Sequence, residues 1–331
     1  MSHAVDRRRF LQLTASGFAG SLAAADFLRL DTTSRAVRAA ELQPAARPAA
    51  QRFTLGFSLY GMNSLPLETV IAACAKIGYR DIEPALMTGY TADPLQLSKA
   101  RRSELRKQIA DLGLTVPALM ENISAVAPAT AQQANLEKIA RAAELARDLV
   151  DAGSSRTAPV LETVLGGKPS EWPQLRGRIL ESLRLWAAAG EKHELTIAVK
   201  AHVGNALHKP EDLAKLIAEI NSPRLRAAYD FSHFERQGLE LESSLRALAN
   251  DTVFIHVKDG KGTPDAFQFL LPGEGTIDYV AYFRLLDQLQ YRGSVMVEVS
   301  GQIFKQPGYD PIAAAKKCYH HLQAAYEASA K

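Results

Sequence analysis

Thr54-Leu55-Gly56-Phe57-Ser58-Leu59-Tyr60 is a short apolar run. Leu67-Glu68-Thr69-Val70-Ile71-Ala72-Ala73-Cys74-Ala75-Lys76-Ile77 follows, with apolar residues three and four apart, and Gly78 and Tyr79-Arg80-Asp81-Ile82-Glu83 close the segment. The pattern predicts a strand, an amphipathic helix stopped by glycine, and a second strand. Two strands joined by a helix pair in parallel through a right-handed crossover. The joint Ser58-Leu59-Tyr60-Gly61-Met62-Asn63 lacks the glycine-rich phosphate loop that an open doubly wound sheet would carry there.

The unit recurs. Further strands are expected at Thr115–Met120, Ala158–Glu162, Thr196–His202, Leu225–Asp230, Val253–Lys258 and Ser294–Val299, which makes eight. Helical patterns follow at Lys99–Leu112, Ala134–Leu149, Trp172–Lys192, Glu211–Ile220, Leu241–Ala249, Tyr279–Gln290 and Pro311–Ser329. Gly113 and Gly153 are read as further helix stops, and Gly190 as punctuation late in the fourth helix. Eight βα units predict an α/β fold, a single-domain (β/α)8 TIM barrel over residues 52–331. Of the 331 residues 47% are hydrophobic and 23% charged, which excludes disorder and collagen as the main description. Cys74 and Cys318 fall on the first and last outer helices, neighbours in a closed barrel; two separate buried thiols are preferred over a disulfide.

The first residues differ in kind. Arg7, Arg8 and Arg9 precede Phe10-Leu11 and a mildly apolar Ala/Leu/Gly run to Ala25, the layout of an export signal. Asp6-Arg7-Arg8-Arg9-Phe10-Leu11-Gln12 resembles the twin-arginine (Tat) motif. The resemblance implies a signal over 1–25, the Tat machinery as a partner and a periplasmic or otherwise exported protein. Residues 26–51, rich in Ala, Arg and Pro, read as a linker. Residues 1–50 hold seven arginines and four acids, so the remainder carries 32 basic and 32 acidic side chains. The net charge of +3 therefore belongs to the leader and gives no nucleic-acid partner.

Chemistry in a parallel barrel sits at the C-terminal strand ends. Those positions hold Glu83, Glu121, Glu162, Lys200 and His202, Asp230 and His233, His256 and Lys258, and Glu298. Asp, His and Glu from different strands can converge on a divalent ion such as Mn, Mg, Co, Zn or Fe.

Several short motifs stand in order around these residues: Ile77-Gly78-Tyr79-Arg80-Asp81-Ile82-Glu83, the pair Asp230 and His233, His256-Val257-Lys258-Asp259, Pro272-Gly273-Glu274-Gly275-Thr276-Ile277-Asp278 and Gly293-Ser294-Val295-Met296-Val297-Glu298. With them the chain from Phe53 onward resembles the xylose-isomerase-like TIM barrels, the sugar phosphate isomerase/epimerase group. The resemblance implies a divalent metal held by Asp230, His256 and Glu298, with His233 contacting substrate. Where the family places its first metal-binding glutamate, this chain has Lys200. Three outcomes stay open: a replacement ligand (Glu162 or His202), a Lys200 made basic by a neighbouring metal, or an ammonium that takes over the role of the ion. The first two are preferred.

The resemblance implies metal-assisted proton abstraction beside a carbonyl of a small carbohydrate, through an enediolate. Lys200, Glu298, His233, His202 and Lys258 are the candidate catalytic residues. Glu83, His202, His233, Tyr60 and Trp172 are candidate substrate contacts, and Asp230, His256, Glu298 and Glu162 candidate metal ligands. Reprotonation gives an isomerase or epimerase; expulsion of a β-leaving group gives a lyase on a keto-glycoside. A non-catalytic sugar-binding barrel is the reading that Lys200 favours. A nuclease is set aside, because the chain has only eight histidines and no basic surplus. The apolar loop Gly260–Asp278, with Phe267, Phe269, Leu270 and Leu271, reads as a lid or as a contact in a homo-oligomer.

Overall fold

A computed structural model describes residues 52–150 and 158–331. The expected signal, the linker and the Gly153 stop lie outside the described residues. Eight strands form the parallel sheet: β1 (Thr54–Ser58), β2 (Asp81–Glu83), β3 (Ala118–Met120), β4 (Val160–Val164), β5 (Ile197–Lys200), β6 (Leu225–Tyr229), β7 (Thr252–Val257) and, after a hairpin of β8 (Asp259–Thr263) and β9 (Ala266–Leu270), β10 (Ser294–Val297). The order β2-β1-β10-β7-β6-β5-β4-β3 is that of a TIM barrel cut between β2 and β3. The cut is closed by isolated parallel bridges, Asp81 to Thr115 and Ala85 to Met120. Ile82 N donates to Thr115 O (2.9 Å) and Leu86 N to Met120 O (2.8 Å). Asp81 spans the seam, accepting from the hydroxyls of Thr54 on β1 and Thr115.

Helices cover the barrel: α1 (Leu67–Ile77), α2 (Lys99–Asp111), α3 (Ala129–Asp148), α4 (Trp172–His193), α5 (Pro210–Ile220), α6 (Phe231–Glu235), α7 (Leu241–Leu248), α8 (Tyr279–Gln288), α9 (Gly301–Phe304) and α10 (Pro311–Ser329). Gly78 ends α1 with φ 119°, and a Cβ there would lie 2.5 Å from the Tyr319 hydroxyl, so conformation and packing both demand glycine. Gly190 is not a stop. It lies inside α4, where a Cβ would meet Leu195 O at 2.6 Å, and the helix ends at Glu194 in the left-handed region. Cys74 and Cys318 are buried and unbridged, and burial pushes each thiol up to about 12.

Alternation along each strand sends every second residue inward. One inner layer is Ala118, Ala198, Ala228, Phe254 and Met296. The alanines leave room for Phe254 and Met296, and Gly56 leaves room for the Met296 sulfur, which a Cβ would approach to 2.6 Å. This plug forms the apolar floor of the layer above.

The region after β7 departs from the expected loop. Residues 259–270 form an antiparallel hairpin, with Asp259 opposite Leu270 and Thr263 opposite Ala266. The hairpin is tied to α9 through Gln302 Oε1, which accepts from Phe269 N at 2.8 Å. Asp259 then gathers the following loop by accepting from Gly273 N (2.6 Å) and Ile277 N (3.2 Å).

Candidate active site

Two residues above the apolar floor, the same alternation delivers Ser58, Glu83, Glu162, Lys200, Asp230, His256 and Glu298 into the barrel, with His202 and Lys258 one step higher, just past the ends of β5 and β7. Lys200 is the hub. Its Nζ donates to Glu298 Oε2 (2.9 Å) and to His256 Nδ1 (2.9 Å), and stands 3.1 Å from Glu162 Oε1. Because Nδ1 of His256 accepts from an ammonium, its proton is on Nε2, which donates to Glu83 Oε2 at 2.8 Å. Lys258 donates to Asp230 Oδ2 and to Glu298 Oε2 (2.7 Å), and lies 3.4 Å from His233 Nε2. Asp230 also accepts from Ser232 N (3.1 Å) and Ser232 Oγ (2.6 Å), as the N-cap of α6.

The charges are driven apart. Burial pushes Glu162 upward, toward its protonated form, against the pull of Lys200 and His256. Glu298 is also penalised by burial, but Lys200, Lys258 and His256 outweigh that and hold it well below the usual carboxylate range. Burial opposes the charge of Lys200, yet Glu162, Glu298 and Asp230 raise it above the ordinary lysine value. His202 and His233 pack ring to ring, centroids 4.0 Å apart. Burial, with Lys258 and Lys200 nearby, lowers His202 to about 3; burial, His202 and the same lysines lower His233 well below the ordinary histidine value. Both imidazoles are therefore neutral at physiological pH.

A cavity of about 190 Å³ opens over this layer. Glu162, Lys200, His202, Lys258, Glu298, Tyr60 and Phe269 are on its wall. Tyr60 stacks on Tyr90 with centroids 5.7 Å apart, and Phe269 of β9 sets its ring 4.9 Å from the Lys258 ammonium. Asp230, His233, His256 and Glu83 are fully buried below and are not on the wall. Three expected substrate contacts are thus placed elsewhere. His233 is buried against His202, its Nε2 3.4 Å from the Lys258 ammonium. Glu83 is behind His256, its Oε2 orienting that ring. Trp172 opens α4 and packs on the hydrophobic core, because its indole falls on the inner face of the helix. Glu121, also at a strand end, pairs with Lys138 at 3.0 Å. Phe269, expected in the apolar loop read as a lid, is on the wall. Asn122 and Ser300, also there, are ordinary loop polar residues without a signal in the sequence.

Asp230, His256 and Glu298 each bring a donor atom within 4.8 Å of the others, a set of the right chemical type for a divalent ion. Glu162, the expected fourth ligand, is not in that set and faces Lys200 instead. The acceptors are already engaged: His256 Nδ1 and Glu298 Oε2 by Lys200, Asp230 Oδ2 and again Glu298 Oε2 by Lys258. With both ammoniums seated, the residues present do not fit a dication.

Comparison with known proteins finds relatives of this chain in sequence and in fold. The profile of a family described as xylose isomerase-like TIM barrel matches residues 71–322. An inosose dehydratase of Geobacillus kaustophilus is 25% identical over 192 residues, 51% of this chain and 60% of that protein. The chain thus spans about 60% of that relative's length. Among solved structures, an L-ribulose 3-epimerase superposes with a TM-score of 0.65 at 19% identity, covering 84% of this chain and 96% of that one. The IolI protein, solved with a bound zinc atom, superposes with a TM-score of 0.68 at 18% identity, covering 83% and 99%. At these identities the superpositions establish the fold.

Proposed function

The chain belongs to the xylose isomerase-like TIM barrel family, and within it we propose an enzyme that removes a proton beside a carbonyl of a small carbohydrate and returns it elsewhere, an isomerase or epimerase. One observation carries this reading. Two carboxylates on the cavity wall, Glu162 and Glu298, flank the same ammonium and are pushed in opposite directions, one toward the acid and one toward the anion. Such a pair is what proton transfer between two carbons or two faces needs.

Glu298 is the base and Glu162 the acid. An anion held so firmly by two lysines is a weak base in isolation. The balance changes when the proton moves: Glu298 becomes neutral, and negative charge appears on the substrate oxygen. Lys200 and Lys258, released from the carboxylate, then donate to that enediolate oxygen, so no net charge is created in the low-dielectric site. Neutral His202 positions a substrate hydroxyl, and Tyr60 and Phe269 flank the sugar. His256, oriented by Glu83, fixes Lys200 from below.

Elimination is the second reading, favoured by the dehydratase among the matched relatives. It shares the enediolate and ends with loss of a β-hydroxyl or β-alkoxyl group. Incubating the protein in D2O with ketoses, keto-inositols and keto-glycosides tests both by NMR. Deuterium at the carbon beside the carbonyl with an epimer or isomer as product supports the first, and an unsaturated product the second. No exchange across the panel would leave a sugar-binding barrel. We also propose Tat export: Arg7→Lys with Arg8→Lys should retain the protein in the cytoplasm on fractionation.

A further inference from the structure

We infer that Lys200 and Lys258 are the resident cations of this barrel mouth, their ammoniums filling the space between Asp230, His256 and Glu298, so that the site works without a divalent metal ion. Three features lead there.

An ammonium has three N–H donors and no acceptor. Lys200 Nζ donates to His256 Nδ1 and Glu298 Oε2 at 2.9 Å each and is ion-paired with Glu162 Oε1 at 3.1 Å. Lys258 reaches Asp230 and Glu298 and is capped by the Phe269 ring. The acceptors that would face an ion are thus spoken for by cations fixed to the chain.

The order of the layers matters as much. Asp230 and His256 have no exposure to solvent, whereas Lys200, Lys258 and Glu298 line the cavity. The ammoniums lie between the deeper donors and the cavity. An ion arriving from the cavity would have to displace both.

Neither lysine has an easy alternative place. Lys200 and Lys258 are each 2% exposed, and their neighbours on the strands, Val199 and Val257, face the outer core. Withdrawing either ammonium would strand a buried charge and leave Glu298 short of a partner. The fixed charges also give His256 its tautomer, since Lys200 claims the Nδ1 lone pair that a metal would otherwise take.

The occupancy of the site stands on this geometry; its catalytic consequence rests on the enolisation reading above. The test is metal uptake, which is read independently of turnover. The full chain is incubated with Mn2+, Co2+ or Zn2+, desalted and analysed for metal, and its melting temperature is recorded with and without each ion. Less than about 0.1 equivalent of metal and an unmoved melting temperature are expected for the wild type. With both ammoniums removed, the double variant Lys200→Glu/Lys258→Met should take up about one equivalent and melt higher with the ion present. Near-stoichiometric metal in the wild type that is lost in Asp230→Asn would overturn the inference, whether or not the double variant folds. A folded double variant that stays metal-free would also overturn it, by showing that the two lysines do not hold the cation position. If the wild type turns over any substrate of the panel, its rate should be unchanged by EDTA. An inactive protein that is metal-free by analysis would sink the enolisation reading and leave this one standing.

Discussion

Asp81 and Glu298 are both acids turned into the barrel, at opposite ends of it, and they are held in opposite ways. Asp81 accepts from two neutral hydroxyls, that of Thr54 on the adjoining β1 and that of Thr115 across the seam between β2 and β3. Glu298 accepts from two ammoniums and lies 3.4 Å from an imidazole nitrogen. Asp81 is in register with Gly56, level with Met296, and Glu298 stands two residues further along the chain from Met296. Neutral donors hold an anion in place without creating a group that can exchange protons with a ligand. Cationic donors make a centre whose hydrogen bonds can follow a charge as it moves. The first arrangement closes a barrel, the second equips it for reaction.

The largest effect is expected at Lys200. Lys200→Met should lower turnover by about 10²–10³-fold or more, and should destabilise the fold by about 3–5 kcal/mol by leaving Glu298 and Glu162 underpaired. Kinetics with a panel substrate and a urea titration check the two effects. If both are small, the two ends of the barrel do not differ as argued.

Acid sharpens the contrast next. The folded protein holds His202 at about 3, below the ordinary 6.5, so between those values the unfolded chain binds a proton that the native one refuses. Stability from this residue is complete above about 6.5 and is lost as pH falls toward about 3, by on the order of 5 kcal/mol at most. Melting temperatures across that range should show the fall, and His202→Gln should flatten it.

At the other end, Asp81→Ala should cost about 1–3 kcal/mol by leaving two threonine hydroxyls without their acceptor. Its kcat should equal that of the wild type. A fall in kcat larger than the loss of folded protein would show that the seam does take part in the chemistry. The smallest effect is expected at Phe269→Ala, which removes the ring over Lys258. A rise in KM of roughly 5–10-fold with kcat nearly constant corresponds to about 1 kcal/mol of binding.

The barrel and the ring of charged strand ends were legible because alternation along eight strands is a strong, repeated signal. Lys200, Asp230, His256 and Glu298 follow from it directly. What they do to one another was not legible. The chain positions of Lys200 and His256 carry no hint that Nζ would seat against Nδ1, since that depends on the inward reach of two side chains across the barrel. The turn of Glu83 toward His256, and away from a substrate, is a matter of rotamer that chain position does not encode. Trp172, at a helix start, could equally have faced either side. The hairpin was hidden because Asp259-Gly260-Lys261-Gly262-Thr263 has almost no apolar residue, and only its partner strand alternates.

That hairpin begins at the residue after Lys258, and the chain rejoins the barrel scaffold at Tyr279, the start of α8. Its tip lies outside the ladder of the eight strands, so residues can be added or removed there without shifting a single strand register. Its root, however, is bonded to a reacting group. Exchange of this short insert is therefore a route by which the substrate range of the barrel can change while its inner layer of charges is inherited intact.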